Sequence, residues 1–376
     1  MIYPNIIFIG SNIVLLFLIF LLMKNALIES KKVSVQNRTV AFLLIITYIL
    51  FSFWGDWFHY NKAYVLFSTR KINETFEDVY IWIISNLTIN YISFRIIIWL
   101  GAFAIVWATC KRLLLDRDLF LLFLGCCWIS LFSYARVIVT MSLLYYGLAL
   151  FVKPYNHHKI LSKIIGISII GISFFFHKSA LFGIFTIIVG YALSKFNRKI
   201  YWILPLLFPI VLGIVYIFVE KFLGGSFDSF FSNEGTVTTG KRYMQVEEHS
   251  QGIGALIRSM CEYALFYSIT IMSFILLVTK KGLKIPSYMR TYMSVFLIVS
   301  IVSSVFAFNL GISTFVIFVR FMRFNIVPGI LLMVYFYQSH YYSRLIRCLF
   351  YVGFFLNAYV SLYTIWLLKS GVNLIG

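Results

Sequence analysis

"ILSKIIGISIIGISFFFHKSALFGIFTIIVGYALSK", residues 160–195, is apolar nearly throughout, yet it places His177 and Lys178 side by side near its middle. In water such a pair marks an ordinary surface turn. In a membrane it is either the short exposed bend between two spanning helices or a polar site held at the edge of the hydrocarbon. The rest of the chain decides which solvent applies. Of 376 residues, 61% are hydrophobic and only 12% charged, and the mean hydropathy is +0.91, whereas a soluble domain carries about 25% charge. The chain therefore reads as an all-α polytopic integral membrane protein, with 160–177 and 179–194 as neighbouring spans.

Outward from this pair, apolar stretches recur along the whole chain. Each is long enough, at about 1.5 Å per residue, to cross a hydrocarbon core of about 30 Å. About twelve spans are expected, near residues 2–23, 39–55, 91–110, 118–135, 137–152, 160–177, 179–194, 200–219, 256–279, 291–309, 321–338 and 349–368. The first, Ile2 to Met23, is too long for a signal-peptide core and lacks a small-x-small cleavage site, so it is expected to remain as a span. Little is left for a soluble domain, and residues 1–376 are expected to form a single transmembrane domain. The cysteines Cys110, Cys126, Cys127, Cys261 and Cys348 lie in or beside apolar segments without metal-ligand spacing, which assigns them to packing.

The short connections sort by charge. "KNALIESKKVSVQNR", "KRLLLDR", "KPYNHHK", "SKFNRK", "KKGLKIPSYMR" and "SHYYSRLIR" hold more than half of the Lys and Arg, and the positive-inside rule turns them to the cytoplasm. Both termini and the two longest connections, 56–90 and 220–255, then fall outside the cytoplasm, with most of the acids: Asp56, Glu74, Glu77, Asp78, Glu220, Asp228, Glu234, Glu247 and Glu248. This sorting also accounts for the net charge of +19, which is topology signal plus attraction to anionic lipid heads and needs no nucleic-acid partner. No fixed-period repeat and no matched pair of Gly/Pro-broken spans points to an inverted-repeat transporter.

The polar residues left near span ends fall mostly on the outer face: Asp56, Arg136, His177, Lys178, Arg242, Arg320 and Arg323. A charge at membrane depth costs about 2.5–3.5 kcal/mol on insertion scales, so cations from several helices at one depth suggest a shared, water-accessible anion site. Arg320 and Arg323, three apart, share a helix face and suit a diphosphate held by paired hydrogen bonds. Each residue also has a plainer reading. Arg136 fits a snorkelling arginine in a tight turn, His177 with Lys178 a polar hairpin tip, and the Arg pair an interface anchor. Arg95, Lys163 and Glu262 stand apart from the outer set.

The 220–255 connection gathers Lys241, Arg242, Glu247, Glu248 and His249 with Tyr243, so one element offers anion binding and general-base chemistry together. A solvated loop collects charges too. In 56–90, Asp56 sits among Trp57, Phe58 and Tyr60, which suit either an interfacial belt or the apolar faces of sugar rings. "TFEDVYIWIISNL" reads as an amphipathic helix lying on the outer surface. His-Glu-x-x-His, Gly-x-Ser-x-Gly, a Walker loop and metal-spaced carboxylates are all missing from the sequence, and neither metal nor cofactor is expected.

Taken together, Asp56-Trp57-Phe58 with Tyr60, the Glu77 to Leu100 segment, Arg136 before a helix, the "FFFHKSAL" turn and Arg320-x-x-Arg323 resemble the EpsG-like family of bacterial polysaccharide polymerases, related to Wzy-type O-antigen and capsule polymerases. The likeness spans nearly the whole chain, and the His-x-Ser-Ala turn is its most specific element. That family usually shows Arg-Gln where this chain has Arg136 and Val137. The resemblance implies a GT-C-like glycosyltransferase in the bacterial inner membrane with its active site facing the periplasm. Donor and acceptor would be undecaprenyl-diphosphate-linked oligosaccharides, the partners membrane lipids and a chain-length regulator protein. On that footing Arg136, Lys178, Arg242, Arg320 and Arg323 would bind diphosphate. Glu247, His249, His177 and Asp56 compete as base or positioning groups, and Trp57, Tyr60 and Tyr243 would contact sugar. Competing readings are a ligase using the same donor, a lipid-linked oligosaccharide flippase or transporter, and a membrane acyltransferase.

Overall fold

The computed structural model describes residues 3–28, 35–51, 86, 90–129, 135–177, 179–196, 200–203, 253–279, 284–308, 321–340 and 343–369. Every regular element among them is helical: α1 Tyr3–Ile28, α2 Val35–Phe51, α3 Tyr91–Arg112, α4 Arg117–Phe123, α5 Ala135–Val152, α6 Lys159–Ile172, α7 Ala180–Lys195, α8 Ile253–Val278, α9 Ser287–Phe308, α10 Ile326–Gln338 and α11 Ser343–Lys369. A π-helical turn, Leu124–Trp128, continues α4, and 3-10 turns at Ser173–Phe175 and Arg323–Asn325 end α6 and precede α10. Within the described residues, Ile92–Arg112, Met260–Val278 and Arg344–Tyr363 are long and apolar enough to cross a membrane. The protein is a helical membrane protein.

The helix starts follow local chemistry. Asn90 caps α3 by a reciprocal pair with Ser93, the Ser93 N–H donating to Asn90 Oδ1 at 2.9 Å and the Asn90 N–H to Ser93 Oγ at 3.1 Å. Asp116 caps α4 by accepting the Asp118 and Leu119 N–H groups.

The helices cross where side chains are smallest. A Cβ on Gly147 of α5 would lie 2.6 Å from the Gly166 carbonyl oxygen of α6, and one on Gly190 of α7 would lie 2.6 Å from Val295 of α9. With lipid as apolar as the helix faces, close backbone approach of this kind replaces the hydrophobic drive. α10 is buried over its whole length from Ile326 to Phe336. A helix that is apolar on every side belongs in the centre of a bundle, and α10 packs against α4, α5, α8, α9 and α11.

One end of the bundle is stitched. Arg112 Nε donates to the Lys153 carbonyl at 2.6 Å, the Asp116 N–H donates to Gln338 Oε1 at 3.2 Å, and Ser194 Oγ lies 3.0 Å from Thr291 Oγ1. Arg38 pairs with Asp118 at 2.6 Å. The basic connections singled out by charge thus converge on one face. The chain leaves α2 at Phe51 and enters α3 at Tyr91 on the opposite face. α8 also starts there, because it runs antiparallel to α9, with Tyr267 on Ser304 and Thr270 on Ser300, each 2.7 Å apart. The interval between α2 and α3 therefore joins helices at the unstitched end.

Candidate functional site

The stitched end serves as a ruler for the charged residues. Arg95 lies 17 residues before Arg112 on α3, and Arg136 lies 17 residues before Lys153 on α5. Arg112 and Lys153 are hydrogen-bonded, so at about 1.5 Å per residue both arginine backbones sit about 25 Å from that end. Glu262 is 16 residues from the end of α8, His177 is 18 from the start of α6, and Arg323 is 15 from the end of α10. These distances, about 22–27 Å, put Arg95, Arg136, His177, Glu262 and Arg323 in one layer near the unstitched end. Arg95 is fully buried and Glu262 nearly so.

The head of the central helix dominates this layer. In "RFMRFNIVPG", residues 320–329, Pro328 has no N–H, so the carbonyl of Phe324 has no partner four residues on. The Tyr145 hydroxyl of α5 takes that role, donating to the Phe324 carbonyl at 2.8 Å. The chain is 3-10 at Arg323–Asn325 before α10 begins. Asn325 Nδ2 donates to Ser300 Oγ at 2.8 Å and, more weakly, to the Phe296 carbonyl. Ser300 in turn contacts Thr270, while Tyr292 donates to the Tyr145 carbonyl at 2.5 Å. α5 and α9 hold the break by direct hydrogen bonds, α8 supports α9 through Thr270, and the half-buried Arg323 belongs to the break itself.

The His177 turn is packed onto the same head. Phe182, near the start of α7, stacks on Phe321 with ring centroids 3.9 Å apart and meets Phe324 edge-on at 5.4 Å. Gly183 lets Phe324 approach, its would-be Cβ lying 2.9 Å from the ring. His177 Nδ1 faces both the Ser179 N–H at 3.1 Å and Ser179 Oγ at 2.6 Å. Accepting a backbone N–H leaves Nδ1 without a proton, which assigns the proton of the neutral ring to Nε2. His177 in this state is set to donate through Nε2, and acting as a base would require breaking the Ser179 contact.

Of the residues the sequence nominates, His177 and Arg323 lie on segments that the Phe182 stack ties to each other, and Arg136 is the second residue of α5 at a similar depth. Asp56, Trp57, Tyr60, Lys178, Arg242, Tyr243, Glu247, His249 and Arg320 lie outside the described residues. Arg95 and Glu262, set apart by sequence, belong to the layer, whereas Lys163 is exposed and close to the stitched end, its Nζ 6.0 Å from the Phe151 ring centroid. Sequence reasoning also passed over Tyr145 and Asn325. Pro328 four residues after Phe324 is the signal for a hydroxyl donor, although it does not say which helix supplies it. Among the described residues no group of three His, Cys, Asp or Glu side chains is placed to hold a metal.

The layer sets arginines, a histidine and a glutamate from separate elements at a similar depth, a placement suited to an anionic headgroup. Comparison with known proteins gives the family: residues 35–373 match the EpsG family model, while no curated protein and no solved structure gives a match. With all but its two ends covered by that match, the chain belongs to the EpsG family.

Proposed function

We propose that this protein is a polysaccharide polymerase with about twelve spans and a GT-C-like architecture in the bacterial inner membrane. It transfers a growing glycan from undecaprenyl diphosphate onto a lipid-linked oligosaccharide repeat unit at the periplasmic face. The observation that carries the reading is the packing of the His177 turn onto the Arg323–Asn325 break at the head of the central helix, in a layer that also holds Arg95 and Arg136.

In the proposed reaction the acceptor hydroxyl attacks the anomeric carbon of the donor. The carbon–oxygen bond to the diphosphate breaks, and the lipid diphosphate departs with the electron pair. The hydroxyl proton passes to a carboxylate or imidazole, Glu247 or His249 being the first candidates and Asp56 a rival. Direct displacement inverts the anomeric centre. Arg323, with Arg136, Arg242, Arg320 and Lys178, neutralises the charge that develops on the leaving diphosphate. Arg95, buried in the same layer, adds to this field. His177 donates from Nε2 to a phosphate or sugar oxygen, and Trp57, Tyr60 and Tyr243 position sugar rings. Arginines supply the charge that a metal ion supplies elsewhere, and a chain-length regulator would act on this face.

A gel ladder of surface polysaccharide tests the proposal in a strain lacking the gene. Wild type restores the ladder; Arg323→Lys, which keeps charge but loses the planar fork, leaves single capped units. His177→Gln, whose amide nitrogen reproduces the Nε2 donor, retains more polymer than His177→Asn. Full chains stranded on the carrier lipid in the deletion strain would instead make the protein a ligase, and repeat units confined to the cytoplasmic leaflet a flippase.

A further inference from the structure

At the stitched end, Arg112 is held in place before anything binds it. Its Nε is committed to the Lys153 carbonyl at 2.6 Å, and its guanidinium lies over the Tyr155 ring, 3.7 Å from the centroid. Two constraints on a planar group fix its orientation, and the Nη pair, the part that grips a phosphate in fork geometry, makes no hydrogen bond to any described residue. Beside it, Lys153 Nζ rests over the Tyr288 ring at 4.4 Å. That ammonium is shielded from solvent and has no hydrogen-bond acceptor among the described residues. Neither cation pairs with a carboxylate among them: Asp116 caps α4 and Asp118 pairs with Arg38.

Two adjacent cations without an anion repel each other, and burial adds to the cost. Exposed Lys111 and Lys159 flank them along the chain and make the neighbourhood more positive. An anion is the missing component. Directly beyond Lys159, α6 exposes Ile160, Leu161, Ile164, Ile165 and Ile167 along its length. A phosphate seated on Arg112 would have its acyl chains lying on that apolar face. The geometry points to a phospholipid site at the stitched end of the bundle, in which the Arg112 fork binds the headgroup phosphate and Lys153 swings from the Tyr288 ring to share it. This site lies about 25 Å from the arginine layer and does not depend on the polymerase reading.

Native mass spectrometry of the full-length protein, released from nanodiscs of phosphatidylcholine with added phosphatidylglycerol, tests the site. Wild type is expected to retain phosphatidylglycerol, and Arg112→Gln to lose its retention about tenfold, the effect of one charge-assisted contact. Arg112→Lys keeps the charge without the fork, is expected to fall between them, and guards against misfolding of the Gln variant. Arg344→Gln removes an exposed charge from the same end and is expected to leave retention unchanged. Equal retention by Arg112→Gln and wild type, or an equal loss in Arg344→Gln, overturns the proposal. Thermal protection by inorganic phosphate in lipid-free detergent, lost in Arg112→Gln and as large as that given by phosphatidylglycerol, would show a soluble phosphate in the site and overturn the lipid assignment.

Discussion

Phe182 and Phe321 lie face to face, with ring centroids 3.9 Å apart and planes 9° from parallel, although one opens α7 and the other precedes α10. This stack is the mechanical tie between the segment bearing His177 and the segment bearing Arg323. Aromatic pairs contribute about 0.5–1.5 kcal/mol beyond the area they bury. A double-mutant cycle with Phe182→Leu and Phe321→Leu, read by unfolding in denaturing detergent, should return a coupling of that size. Both single variants should shorten the glycan ladder without abolishing it. Additive destabilisation would show that the rings pack independently.

The α5 and α6 crossing makes a prediction of opposite sign at chemically identical positions. Exchanging Gly for Ala inside a helix ordinarily gains about 1 kcal/mol. At Gly147 the new Cβ would meet the Gly166 carbonyl oxygen at 2.6 Å and Ile170 at 2.7 Å, whereas at Gly101 and Gly171 it would meet nothing within 4 Å. Gly147→Ala should lose about 1–3 kcal/mol of stability through overpacking. Gly101→Ala and Gly171→Ala should be neutral or stabilising. Melting temperatures of the three variants in one detergent decide it.

Tyr145 compensates for a bond that Pro328 cannot make. Tyr145→Phe strands the buried Phe324 carbonyl and should cost about 1–3 kcal/mol, with a loss of polymer because Arg323 sits one residue away. Pro328→Ala restores an N–H at the position that reaches that carbonyl, so the double variant should recover much of the stability lost in Tyr145→Phe. Full additivity would detach the hydroxyl from this carbonyl.

Among the described residues, most helix positions and the gathering of basic connections at one end are legible in the sequence, because hydropathy and the Lys/Arg count report on lipid and on the stitched end. The layer was only half legible. Arg95 looked isolated because its depth emerges only from register, through the bond between Arg112 and Lys153 that sets α3 against α5. Hydropathy alone gives one continuous span over 321–338 and hides the break at Arg323–Asn325, since apolar residues face both lipid and protein and periodicity loses its contrast there. The π turn at Leu124–Trp128, where Asn357 Nδ2 donates to the Cys126 carbonyl, left no local trace for the same reason. Residues such as Asp56, Glu247 and His249 stay expectations from chemistry alone.

Lys153 gives a pH dependence with a definite sign. Burial first, and the neighbouring Arg112 second, hold its ammonium below the ordinary value of 10.5. Between the lowered value and 10.5, the unfolded chain binds a proton that the folded protein releases. Stability contributed by this group therefore rises with pH through that window, and below it the cost of the buried charge is present in full. Lys153→Met should flatten this rise in a melting-temperature series from neutral to alkaline pH. An unchanged slope would show that Lys153 is as well solvated folded as unfolded.

The stitched end also sets how the bundle deforms. α3 and α5, fastened to each other where Arg112 meets the Lys153 carbonyl, behave like rods in a clamp, and a clamped rod moves least at its root and most at its tip. Spin-label distances between α3 and α5 should accordingly be narrow near Lys111 and His157 and broaden toward Ile92 and Val137, with equal widths counting against the clamp. On the proposed function a glycan carrier lipid needs helices to part somewhere, and between α3 and α5 this fastening leaves the parting to the tips, where Arg95 and Arg136 are.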